Sequence, residues 1–226
     1  MSQNYSFFSL QIMSEMNQNI KIAVIGGTGK AGRYLIKQLV SQGFKVKALT
    51  RNPGKLEETD LVEKVVGDVT DYESVYSLVK GCEAVISTLG QTKGEDPVFS
   101  LAAKNIVRAM EALNIKIYIV LTGLTLDVHS DKKGFRTKIK SLTMKLLFRK
   151  TILDKQHEYK ILQGSILDWT IVRVPFIEIT DSRGDVEASL SDCKGSGISS
   201  ADLAEFLIGQ IKSENYIRKA PFIWNK

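Results

Sequence analysis

Seven residues near the start of this 226-residue chain carry its strongest chemical signal: Gly26-Gly27-Thr28-Gly29-Lys30-Ala31-Gly32, directly after the apolar run at residues 20–25. Glycines at 26, 29 and 32 give a G-x-x-G-x-x-G spacing. Between a strand and a helix, Gly26 permits a sharp turn, Gly29 lets backbone approach a pyrophosphate, and Gly32 lets the helix pack closely on the strand. The start of the helix adds unpaired N–H donors and a positive dipole end, so Thr28 and Lys30 in the same loop join the expected phosphate cradle. A nucleotide P-loop, G-x-x-x-x-G-K-[ST], is excluded: Val24 stands at its first glycine and Ala31 at its Ser/Thr.

A loop of this kind leads to a second position, about 20 residues on, where the chain chooses between dinucleotides. There the sequence reads Thr50-Arg51-Asn52-Pro53. An Asp or Glu would hold a ribose 2′-hydroxyl, and neither is present. Arg51 suits a 2′-phosphate instead, with Lys55 or Lys30 as a second cation. The expected cofactor is NADP(H) rather than NAD(H).

Three further stretches extend the pattern: Gly67-Asp68-Val69, Ser87-Thr88-Leu89-Gly90 and Asp168-Trp169-Thr170-Ile171-Val172-Arg173-Val174-Pro175. Together with the glycine loop they resemble the atypical short-chain dehydrogenase/reductases, and within them the flavin/biliverdin-reductase-like and NAD(P)H-binding group. The resemblance spans about residues 20–211. It implies that Asp68 and Val69 meet the adenine, that Leu89 and Gly90 pass beside the ribose, and that Pro175 and Phe176 lie near the nicotinamide.

The chain departs from that pattern where the acid would stand. Most short-chain dehydrogenases carry Tyr-x-x-x-Lys on one helix, but Tyr159 is followed four residues later by Gln163. The reverse order occurs, since Lys155 precedes Tyr159 by four and shares its helical face. The partner serine after the fifth strand is replaced in Leu121-Thr122-Gly123-Leu124-Thr125, which leaves Thr122 or Thr125 to supply a hydroxyl. The candidate catalytic group is therefore Thr122, Tyr159 and Lys155. Hydride transfer belongs to the cofactor, so a conjugated acceptor such as a flavin or quinone needs no dedicated tyrosine. This favours a reductase of a small-molecule acceptor. A non-catalytic dinucleotide-binding redox sensor is the alternative, and an epimerase or isomerase comes third because it needs a committed acid/base.

Positioning these residues requires strands at 20–25, 45–49, 64–66, 84–87, 117–121 and 169–174. Helices are expected at 32–42, 74–79, 98–113, 154–163 and 201–211, the last N-capped by Ser199 with Asp202 three residues on. Asn105, on the apolar stripe of its helix, is expected to brace a neighbouring loop. An amphipathic piece is predicted from Ile139, Leu142 and Leu146, with Lys138, Lys145 and Arg149 between them. The alternation predicts an α/β Rossmann fold: a doubly wound, mostly parallel sheet in three layers, with a small C-terminal elaboration at 176–198 over the cleft. Residues 1–19 read as an N-terminal extension and 20–226 as a single domain.

Composition narrows the rest. With 43% apolar and 25% charged residues, the chain is neither disordered nor fibrous. No apolar run reaches the ~18 residues of a membrane helix. Two cysteines (Cys82, Cys193) and two histidines match no zinc spacing and suggest a reducing, cytoplasmic setting. The net charge of +6 is concentrated at residues 131–160, where ten Lys/Arg meet three Asp/Glu. A neutral body with one basic segment argues against a nucleic-acid binder, and the segment reads as a solvated helix face or as a rim attracting phosphates or an acidic substrate. The expected assembly is a monomer or homodimer.

Overall fold

The computed structural model describes residues 19–134 and 148–226, together with residues 17 and 144. The expected amphipathic piece at Ile139, Leu142 and Leu146 and nearly all of the N-terminal extension lie outside the described residues. Ten strands are described: β1 (Lys21–Ile25), β2 (Lys45–Thr50), β3 (Val62–Val66), β4 (Ala84–Ser87), β5 (Ile117–Gly123), β6 (Asp168–Val174), β7 (Phe176–Glu178), β8 (Val186–Ser189), β9 (Gly197–Ser199) and β10 (Phe222–Asn225). The helices are α1 (Lys30–Ser41), α2 (Tyr72–Val79), α3 (Phe99–Ala112), α4 (Arg149–Gly164) and α5 (Ser200–Gly209).

Among the described residues an eight-stranded sheet runs β3-β2-β1-β4-β5-β6-β10-β8, parallel except for β8 against β10. The chain winds outward from β1 to β3, then crosses back to β4 beside β1. That reversal opens a crevice at the carboxyl ends of β1 and β4, where ligands of such sheets bind. Apolar runs form the central strands because both faces are covered. Ile22 and Val24 of β1 face Leu35 and Leu39 of α1 and Leu203 and Leu207 of α5. Ala23 and Ile25 face the other layer, with Leu78 of α2, Ile106 and Met110 of α3 and Leu162 of α4. Each Val, Ile, Leu or Met among them, fully buried, contributes about 1.5–3 kcal/mol.

The local signals hold where the sequence carried them. Ser199 caps α5 by accepting the Asp202 N–H at 3.0 Å, and Asn105 donates to the carbonyls of Val69 (3.1 Å) and Thr70 (2.9 Å), bracing the β3–α2 loop. Sequence periodicity did not reveal the last part of the fold. The segment after β6 holds three short strands, of which β7 and β9 pair as a small separate sheet. β8 and β10 extend the main sheet beyond β6.

The basic segment also behaves differently from a simple charged rim. Lys133 is buried, with its ammonium on the carbonyls of Leu124 and Leu126 and ion-paired to Asp127 and Asp131. Arg173 of β6, fully buried, donates to Asp131 at 2.7 Å and to the Ala220 carbonyl, with Phe222 beneath its guanidinium. These bonds tie the loop after β5 to both β6 and the chain entering β10.

Candidate functional site

A cavity of about 890 Å³ opens at the carboxyl ends of the central strands. Its floor is the glycine loop, shaped by sterics at two positions. Gly26 adopts φ +77°, and a Cβ there would stand 2.7 Å from the Thr88 carbonyl group. At Gly32 a Cβ would stand 2.2 Å from the Gly26 oxygen and 2.7 Å from Gly27 Cα, so α1 sits directly on the loop. The loop closes through Gly29 N–H donating to the Gly26 carbonyl at 3.0 Å. Gly29 begins α1 without a side-chain cap, and no acidic residue occupies the first turn. Those N–H groups and the dipole's positive end are left for an anion at the cavity floor. Gly26, Thr28, Gly29 and Lys30 line the cavity; Gly32 stands behind it as a spacer.

The β2 side of the cavity carries Arg51 and Asp68, with Val69 beside them. Asp68 accepts from the Thr70 amide at 2.8 Å and hydroxyl at 2.6 Å. Burial works against its charge, but those bonds and Arg51 hold its carboxyl below the usual range. Arg51 extends across the opening, with Nη1 2.8 Å from Glu95 and Nη2 donating to Thr92 Oγ1 at 3.2 Å. Its Nε lies 3.8 Å from Asp68. Of the two proposed second cations, Lys30 lines the cavity and Lys55 does not. Leu89 and Gly90 line the wall after β4, and Glu95, which sequence reasoning passed over, stands 44 residues beyond Arg51.

On the β5–β6 side the cavity meets Thr122, Thr125, Lys155, Pro175 and Ile177, with apolar walls from Val98, Phe99 and Ile152. Phe176, expected at the same end, does not line it: its side chain points to solvent, 72% exposed. The structure likewise does not bring Tyr159 to this end. The Tyr159 ring packs edge-on against Trp169 at 5.8 Å, its hydroxyl accepts from the Gln163 amide at 3.0 Å, and the residue is buried in the core. Burial pushes its phenol further up. Lys155 turns the other way. Its ammonium pairs with Glu158 at 2.9 Å and lies 3.9 Å from the centre of the Phe99 ring. Burial pushes the Glu158 carboxyl up, and Lys155 opposes that shift. The spacing Lys155-x-x-Glu158 was legible in the sequence as an i,i+3 pair; its burial was not. Asp154 fastens α4 to α3 by accepting from the Ser100 amide and hydroxyl. Among the described residues, no group of three or more His, Cys, Asp or Glu is placed to hold a metal ion.

Comparison with known proteins gives concordant results. The chain is 34% identical over 115 residues to an isoflavone reductase homolog, A622, from Nicotiana tabacum, covering 46% of this chain and 35% of the tobacco protein. It is 25% identical over 229 residues to the chloroplastic divinyl chlorophyllide a 8-vinyl-reductase of Arabidopsis thaliana, covering 89% of this chain and 52% of that one. The chain thus spans about a third to a half of the length of these two relatives. The solved structure of an anaerobillin reductase from Escherichia coli O157:H7 superposes with a TM-score of 0.73 over 91% of this chain and 97% of that one, at 20% identity. At that identity the likeness speaks for the fold. The profile of the NAD(P)H-binding family matches residues 26–214, from the glycine loop to just past α5. A floor of uncapped N–H groups, an opposing arginine and a profile match over most of the sequence agree, and the chain belongs to the NAD(P)H-binding family.

Proposed function

We propose that the protein is an NADP(H)-dependent reductase of a planar, conjugated small-molecule acceptor such as a flavin or a quinone. The observation that carries this reading is the continuity of one cavity from the phosphate floor at Gly29 to an apolar end at Val98, Phe99, Ile152 and Pro175. A dinucleotide lying along the floor fits the loop on which Gly32 lets α1 pack closely, with the pyrophosphate on the start of α1 and a 2′-phosphate on Arg51. When bound, the reduced nicotinamide supplies a hydride. The chain's own residues bind, orient and exclude water. Thr122 offers a hydroxyl to a polar atom of the acceptor, and Lys155 supplies positive charge where negative charge develops on it. Tyr159 is assigned no step, and the proton comes from solvent. Among the described residues no tyrosine lines the cleft, which disfavours an epimerase.

The experiment is a titration of the full chain with NADPH and NADH by fluorescence, followed by addition of a flavin or a quinone to the same sample. Binding followed by loss of the reduced-nicotinamide absorbance supports the reductase. Tight binding with no turnover across a broad panel of acceptors overturns it in favour of the redox sensor, the reading that the position of Tyr159 in the core favours next.

A further inference from the structure

The adenosine end of the cleft holds an arrangement that a simple phosphate-binding role for Arg51 leaves unused. Both ends of the guanidinium fork are already engaged, Nη1 by Glu95 at 2.8 Å and Nη2 by Thr92 at 3.2 Å. These partners come from the loop between β4 and α3, on the opposite side of the opening from β2, and both line the same cavity as Arg51. The Gln91 side chain ties that loop to itself through the carbonyls of Thr92 (2.9 Å) and Glu95 (2.7 Å). Asp68 adds a second carboxylate 3.8 Å from Arg51 Nε. One cation thus serves two acids across the place where a dinucleotide's adenosine ribose would sit.

We propose that Glu95 is a cofactor-discriminating residue whose carboxylate competes with a ribose 2′-phosphate for the fork of Arg51. The inference rests on the reading that Arg51 receives this phosphate. Arginine binds a phosphate best through two parallel N–H bonds, and one N–H on each fork nitrogen is already given to Glu95 and Thr92. A 2′-phosphate that takes the same edge of the fork displaces them, and on any edge it brings nearly two negative charges beside the Glu95 and Asp68 carboxylates. A 2′-hydroxyl needs no such displacement, so an unphosphorylated dinucleotide enters with the bridge intact. Because Arg51 and Glu95 are about half exposed, the bridge is weak enough to exchange. Glu95 therefore tunes the preference without blocking either cofactor.

The test compares NADPH and NADH dissociation constants for the full wild-type chain, Glu95→Gln, Arg51→Ala and the double variant at one ionic strength. Glu95→Gln is expected to tighten NADPH by about threefold or more while NADH changes less than about twofold. In the Arg51→Ala background that gain disappears. An unchanged NADPH/NADH ratio in Glu95→Gln, or weaker NADPH binding, overturns the proposal. So does a gain that persists without Arg51, which would mean plain charge repulsion and no competition. The underlying reading fails separately, if Arg51→Ala leaves the wild-type cofactor preference in place.

Discussion

Lys155 and Tyr159 lie four residues apart on α4, a spacing that places side chains on one helical face, yet they serve different surroundings. Lys155 reaches the cavity wall between Glu158 and Phe99, while Tyr159 lies against Trp169 in the core. Tyr159→Phe is therefore expected to leave NADPH affinity and turnover within about twofold. It should cost about 0.5–1.5 kcal/mol of stability for the lost hydroxyl bond, read by urea denaturation. A large loss of turnover with unchanged stability would return Tyr159 to the chemistry. Lys155→Met is expected to lower turnover by about 10- to 100-fold with little change in NADPH affinity, measured by steady-state kinetics beside a binding titration. Cys82 gives a pH-dependent test. Burial pushes its thiol up to about 12, with the Leu78 carbonyl accepting its S–H. Unfolding returns it to about 9, so between those values the folded state keeps a proton that the unfolded state releases, and stability falls as pH rises through that window. Native Cys82 is accordingly expected to resist alkylation at pH 9 and to react fully after denaturation, as mass spectrometry would report.

At the scale of elements, the turn between β1 and α1 is where sequence and geometry coincide. Its spacing was legible because each glycine answers a local steric demand. A Cβ at Gly32 meets backbone at 2.2 Å, and backbone cannot rotate away as a side chain would. Gly32→Ala is expected to weaken NADPH by more than about tenfold while circular dichroism shows the helices retained; full affinity in the variant would remove the close-packing argument. The six strands and five helices predicted from periodicity all occur, with ends shifted by up to five residues, because their burial patterns are local. The strands after β6 escaped for the opposite reason. β10 meets β6 at a single register pair, Phe222 with Arg173, and β7 and β9 are three residues each, too short to show a period.

At the scale of the whole molecule, the loop after β5 is held by a buried charge cluster instead of an apolar plug. Asp131 faces both Arg173 and Lys133, and burial lowers the Arg173 pKa against the bonds that Asp131 supplies. Removing the carboxylate leaves the buried Arg173 without its ion pair and Lys133 with Asp127 alone. Asp131→Ala is expected to cost about 3–5 kcal/mol in urea denaturation, and a loss under about 1 kcal/mol would mean the cluster is not holding the loop. Through Ala220 and Phe222 the same cluster joins the C-terminal strand to the cavity-bearing half of the sheet.

The sequence by itself determined the alternation of strands and helices, the glycine loop and the choice of Arg51 over an acid at the tip of β2. Each depends on residues within one turn or one strand period, where sterics and propensity act. Tertiary structure decided that Glu95 sits on Arg51, that Tyr159 faces the core while Lys155 faces the cavity, and that Lys133 and Arg173 turn inward to Asp131. Those outcomes join residues tens of positions apart, or hang on which side of a helix is covered. Charge pairing and burial across such distances exist only once the sheet has set its order.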